Sequence, residues 1–159
     1  MIDGPYLVLT VLGVLGCGLV AGVFYGFSAF VMRGLAELPP AQGVAAMNAI
    51  NTSAVRPAFM LLFVGAAGLC AVLGVVTFVL LPEDGTVELL LGSSLYLFGS
   101  FGVTVVANVP RNDALLKTDP GSPEAAVHWR SYVRGWTRWN HVRAVASAAA
   151  AISYTLALT

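Results

Sequence analysis

Charge is what this sequence has least of. Asp, Glu, Lys and Arg make up 10% of its 159 residues, against about 25% in a soluble domain. With 58% hydrophobic residues and a mean hydropathy of +0.84, that shortage excludes an ordinary soluble fold and asks for a surface that faces lipid. Eight basic and eight acidic residues cancel, so no net field draws in nucleic acid. Cys17 and Cys70 stand alone in separate apolar runs, without a C-x-x-C pair, and read as small core residues. His128 and His141 are the two histidines. No H-x-x-x-H or E-x-x-H occurs, which weighs against a haem or metal site built from one chain. Neither a G-x-S-x-G elbow nor a phosphate loop is present. Apart from Glu88 at the edge of the third run, no Asp or Glu falls inside a long apolar run, against a proton-coupled transporter built on a buried carboxylate. The start, Met-Ile-Asp-Gly-Pro, lacks the basic region of a secretory signal, and the first apolar run is too long for one. That run reads as a retained span.

What is present is organised by apolar runs. Residues 6–31, 57–81 and 87–108 are each long enough to cross a bilayer with some tilt. Residues 144–159 would rise only about 24 Å as a helix, short of a hydrocarbon core of about 30 Å, so a fourth span begins near Asn140 and covers 140–158. The expectation is an all-α, single-domain bundle of four transmembrane helices, with short interfacial helices in the first and third connections. Pro39-Pro40 starts one of them. Pro82–Thr86 reads as a tight turn, and Pro110 as a break or kink after the third span. Gly18, Gly22 and Gly26 form a G-x-x-x-G-x-x-x-G row that admits a close helix, either a neighbouring span or a second copy of the chain. Gly92, Gly99 and Gly102 offer similar points in the third span. Arg33 and Arg56 follow span one; Arg111, Lys117, Arg130, Arg134 and Arg138 follow span three; the turn between spans two and three has only Glu83, Asp84 and Glu88. The positive-inside rule then places connections one and three in the cytoplasm and both termini outside, in a multi-pass protein of the cell (inner) membrane.

Polar side chains fall on that same cytoplasmic side. Trp129, Tyr132, Trp136, Trp139 and Arg143 are spaced 3, 4, 3 and 4 and share a helical face. Asn140 borders the stripe, and His141 lies about 100° further round. Asn48 and Asn51 sit one turn apart in the first connection. Asn108, Arg111 and Asn112 bracket Pro110. Phe24, Phe27 and Phe30 crowd the end of span one. Each has a plain use as belt, cap or snorkelling cation. Their convergence at one mouth of a bundle would also make a site.

Four stretches resemble the anthrone-oxygenase-like family of small four-span membrane proteins: Ala21-Gly-Val-Phe-Tyr-Gly-Phe-Ser28, Ala46-Met-Asn-Ala-Ile-Asn51, Asn108-Val-Pro-Arg-Asn112 and Trp136-Thr-Arg-Trp-Asn-His-Val-Arg143. The last two are the specific ones. The resemblance implies a four-helix membrane bundle and, by class, an oxidoreductase of monooxygenase type. Some fungal members convert anthrones to anthraquinones with molecular oxygen and no evident organic cofactor. An anthrone is flat, apolar and acidic at its benzylic carbon, and its carbanion reacts with oxygen without a metal. Such chemistry asks for an apolar slot, a base and donors for the enolate oxygen. Trp136, Trp139, Phe24, Phe27 and Phe30 would supply the slot. His141 is the candidate base, because an imidazole is the side chain that ordinarily titrates near neutral pH. Asn108, Asn112, Asn140 and Arg143 would hold the developing charge, with His141, Asn140 and Arg143 as the catalytic group. Asn48 and Asn51 join Asn108, Asn112, Trp136, Trp139 and Phe27 in binding substrate. No cofactor is expected beyond oxygen as co-substrate; haem or a metal is the less favoured case. The partners are the bilayer and a lipophilic small molecule. The competing function is a non-catalytic quinone-, haem- or lipid-binding protein, or an accessory subunit of a membrane enzyme. A third is a structural membrane protein anchored by its polar mouth.

Overall fold

The computed structural model describes residues 4–82 and 84–159. Five continuous helices account for most of them: α1 Gly4–Ala36, α2 Pro40–Ala54, α3 Pro57–Leu80, α4 Thr86–Leu116 and α5 Ala125–Leu156. Proline opens α2 and α3 at a position where a missing N–H is harmless. Leu81 closes α3 in a left-handed conformation and donates its N–H to the Thr77 carbonyl at 2.8 Å. In the expected turn that follows, Glu83 lies outside the described residues; Thr86 donates its hydroxyl to the Pro82 carbonyl.

By length and composition α1, α3 and α4 can cross a membrane, with mean hydropathies of 2.5, 2.6 and 1.8. Helix α5 is 32 residues long, about 48 Å at 1.5 Å per residue. It is not among the three: Arg130, Arg134 and Arg138 lie along its first half, and Asn140, His141 and Arg143 lower the hydropathy of the second. The third connection has no separate interfacial helix. Its helical part is the first half of α5, which runs on without a break.

Pro110 does not end α4. The helix passes through it to Leu116, and a π-helical turn, Thr104–Asn108, comes immediately before it. Proline removes one ladder hydrogen bond and its ring presses on the carbonyl four residues back. A wider π turn at that point absorbs both effects. A second π segment, Leu95–Gly102, precedes it, and a third, Phe27–Val31, lies in α1.

The two π segments, Leu95–Gly102 and Thr104–Asn108, keep every fourth residue of that part of α4 on one side. An α turn alone would drift about 40° per four residues. Ser100, Thr104 and Asn108 therefore all face α5, forming a polar seam. Ser147 donates its hydroxyl to Ser100 at 2.8 Å, Arg143 bonds Thr104 at 3.2 Å, and Asn108 donates to the Trp136 carbonyl at 3.3 Å. Nearer the chain termini Ser93 bonds Tyr154 at 2.9 Å and Ser153 donates to the Glu88 carbonyl at 2.7 Å. In lipid each such bond contributes roughly 0.6 kcal/mol, up to about 1.7.

Glycine brings α5 close at Gly92, where a Cβ would stand 2.9 Å from the Tyr154 ring, and at two further places. A Cβ on Gly99 would stand 2.6 Å from the Ala146 Cβ, and one on Gly43 of α2 would stand 2.6 Å from the Trp129 ring. The Gly18/Gly22 face is different. Among the described residues, a Cβ there would meet no atom of another helix within 4 Å. The row does not join α1 to a neighbouring span. Cys17 and Cys70 are free thiols, fully buried, with sulfurs 3.7 Å apart between α1 and α3.

Candidate functional site

The buried face of α5 runs Trp129, Tyr132, Trp136, Asn140, Arg143. The expected stripe is thus correct except at one position: Asn140 continues it and Trp139 is half-buried at its edge. Asn140 is fully buried and Arg143 is 4% exposed.

Asn140 is held from α1. Its Nδ2 donates to the Phe24 carbonyl at 2.7 Å and to the Ser28 hydroxyl at 2.8 Å, at the edge of the π turn. Its Oδ1 accepts from Arg143 Nη2 at 2.7 Å. The guanidinium lies over the Phe24 ring at 4.1 Å and the Trp136 ring at 5.1 Å. Its Nη1 reaches Thr104, and its Nε has no partner. Among the described residues no carboxylate pairs with it. A buried cation is costly unless something balances it, and here only dipoles and aromatic faces do.

A second group is tied to the first through Trp136. Tyr132 Oη and Trp136 Nε1 both donate to Asn112 Oδ1, each at 2.9 Å. Burial pushes the Tyr132 phenol well above its ordinary range, with the Asn51 carboxamide acting the other way, so the phenol stays protonated and remains a donor. Asn108, from behind, holds the Trp136 carbonyl, and its Oδ1 is buried without a partner. Asn48 Oδ1, Asn51 Nδ2 and Trp129 Nε1 are orphaned in the same way. Each unpartnered buried polar atom costs about 1–3 kcal/mol unless water or a ligand answers it.

Some of these groups line a cavity of about 530 Å³, within the range of small-molecule sites. Its polar lining includes Asn51, Thr104, Asn112, Trp136 and Arg143; Asp, Glu and His are absent from it. The apolar wall is aromatic. Phe59 and Phe63 of α3 are stacked at 5.6 Å, Phe24 meets Phe63 edge-on at 5.9 Å, and Phe27 lies 5.5 Å from Trp136. Helix α2 contributes Met47, Ile50 and Asn51.

Of the residues singled out in the sequence, Arg143, Asn112, Asn51, Trp136, Phe24 and Phe27 line this cavity, with Asn140 and Asn108 directly behind it. Asn48 stands on α2 without lining it. Trp139 does not line it. Phe30 is 67% exposed and points away. His141 is exposed and lines a separate depression with Arg33, Arg134 and Arg138. The polar residues do not form one direct cluster. Asn140, Arg143 and Thr104 make one group, Asn112 and Tyr132 the other, and Trp136 joins them. Sequence reasoning missed Phe59, Phe63 and Thr104 as site residues, and gave Tyr132, a member of the stripe, no role of its own. Phe59 and Phe63 carried a signal, two aromatic rings one turn apart at the start of an apolar run. Thr104 carried none. Among the described residues no three His, Cys, Asp or Glu side chains gather as a metal site would need.

A family model described as anthrone oxygenase matches residues 59–153, more than half of the chain. It covers α3, α4 and most of α5; the α1 and α2 walls of the cavity lie outside the matched range. No curated protein and no solved structure matches.

Proposed function

Since the chain belongs to the anthrone oxygenase family, we propose that it is a membrane oxygenase whose cavity takes a flat, lipophilic, anthrone- or quinone-like substrate, with molecular oxygen as co-substrate and no resident cofactor. The observation that carries this reading is Arg143: a buried guanidinium with no counter-charge among the described residues, lying in an aromatic cavity with one N–H unused.

The membrane placement has four spans, the fourth being the second half of α5. Its exposed residues change character at one point. Arg130, Arg134, Arg138 and His141 precede it; Val142, Val145, Ile152 and Leu156 follow. Lipid suits the second set and headgroups or water the first. All basic side chains outside Arg143 then lie at the end with the cavity mouth. The positive-inside rule makes that end cytoplasmic, with both termini across the membrane.

In the cavity an anthrone's carbonyl oxygen sits at Arg143 and Asn51, its rings between Trp136, Phe27 and the Phe59–Phe63 pair. A cation beside an enol lowers its pKa, so the guanidinium favours the enolate. The carbanion carbon of that enolate bonds to oxygen and, after protonation, gives a hydroperoxide. Loss of water leaves a carbonyl. Overall CH₂ and O₂ become C=O and H₂O, and the substrate supplies all the electrons. His141 does not line the cavity, so it takes no part in this scheme.

The test is oxygen uptake with an anthrone in proteoliposomes. Arg143→Leu should lower kcat by roughly 10²–10³, as removal of an oxyanion donor does. His141→Gln should leave the rate unchanged. Wild-type protein that binds the anthrone, by quenching of tryptophan fluorescence, but consumes no oxygen would make it a carrier instead. No binding at all would sink the cavity reading.

A further inference from the structure

The basic side chains at the mouth do not all serve the cavity. Of the eight, Arg143 lies within it, and Arg111 is tied to the Ala107 carbonyl at 2.6 Å. Arg33, Arg134 and Arg138 converge with His141 on a different depression, about 420 Å³, between the end of α1 and the outer face of α5. Its floor is apolar, made by Met32, Ala36 and Val133, and no Asp or Glu lines it. Among the described residues none of the three arginines has an ion-pair partner. Thr137 shares the wall, and its hydroxyl is buried without a hydrogen bond.

Three guanidinium groups gathered without a counter-charge repel one another. An anion between them reverses the sign of that interaction, and guanidinium forks match phosphate oxygens. The depth of the depression says which anion. Arg138 and His141 stand immediately before the point on α5 where the exposed side chains become apolar, at Val142 and Val145. Phe30, 67% exposed, stands just before Arg33 on α1. A free phosphate needs only the arginines. A group that also covers the apolar floor and the outer valines has a glycerol and acyl chains attached.

We propose that this depression binds the phosphate headgroup of an anionic phospholipid, with the acyl chains running along Val142 and Val145. The site is separate from the substrate cavity and rests on the membrane placement given above. Basic pockets between helix ends at this depth hold such headgroups.

Thermal melting of the purified protein in neutral detergent tests it, with phosphatidylglycerol, phosphatidylcholine or inorganic phosphate added. Phosphatidylglycerol should raise the Tm; the other two should not. In the Arg134→Gln/Arg138→Gln variant the apparent affinity for phosphatidylglycerol should fall about thirtyfold, two charges' worth at a membrane surface. Arg130→Gln, exposed and outside the depression, should fall by no more than a few-fold. Native mass spectrometry supplies a second readout: wild type should retain a bound phosphatidylglycerol and the double variant should not. If the double variant does not fold, Arg33→Gln takes its place. Equal shifts in the double variant and wild type would overturn the proposal, as would equal shifts from phosphatidylcholine. A shift from inorganic phosphate alone would replace the lipid by a free anion. Arg143→Leu separates the two sites: it should abolish turnover and keep the phosphatidylglycerol shift.

Discussion

At the scale of single residues the site depends on Asn140 more than on any catalytic group. Its carboxamide is saturated: Nδ2 holds the Phe24 carbonyl and Ser28, and Oδ1 holds Arg143. Asn140→Leu would leave the guanidinium without its shortest acceptor, so we expect a loss of about 1–3 kcal/mol. Arg143→Leu removes the cation itself and should cost less, or even stabilise, because a leucine suits this environment better than an unpaired charge. The double variant should then be non-additive by at least about 0.5 kcal/mol. Melting of the four proteins in one detergent measures this, and strict additivity would mean that Asn140 does not position Arg143. Trp136→Phe keeps the ring but loses the bond to Asn112. It should weaken anthrone binding severalfold, read by titration of the remaining tryptophan fluorescence, with a stability loss of about 1 kcal/mol.

At the scale of elements the close contacts are those of α5, not those of the glycine row in α1. Gly99→Ala forces a methyl against Ala146 and should lower stability by about 1–3 kcal/mol. Gly22→Ala should leave the melting curve of the monomer unchanged, because among the described residues no atom of another helix lies within reach. The row is then free for a second copy of the chain, and we expect a Gly22→Leu variant to migrate as a smaller species in mild detergent. Identical elution of the two proteins would assign that face to lipid. The π turns belong to this scale too. Phe27 and Ser28 come from one and Thr104 and Asn108 from another, so two of the three stand at the site, as widened turns often do.

At the scale of the whole molecule the basic end, the cavity mouth and the lipid depression occupy one side of the bundle. Reporter fusions at the Pro82–Thr86 turn and after Thr159 should both read as external. A cytoplasmic signal from either would reverse the orientation and move the substrate's entry to the opposite leaflet.

The helical, membrane-facing character of the chain was legible in the sequence, because the scarcity of charge and the run lengths fix it by themselves. So was most of the stripe on α5: a helix repeats every 3.6 residues, and spacing alone puts Trp129, Tyr132, Trp136 and Arg143 on one side. Tertiary structure alone decided the rest. Periodicity says that residues share a face, but not which element covers it. Trp139 and His141 differ from Asn140 by one position each and lie off the buried face, because α1 packs on Asn140. Pro110 looked like a stop, and only the π turn before it, held against α5 by the polar seam, lets the helix continue. The aromatic wall came from Phe59 and Phe63, distant in sequence from the polar groups they face. A side chain's burial is set by its neighbours across the bundle, and local sequence does not name them.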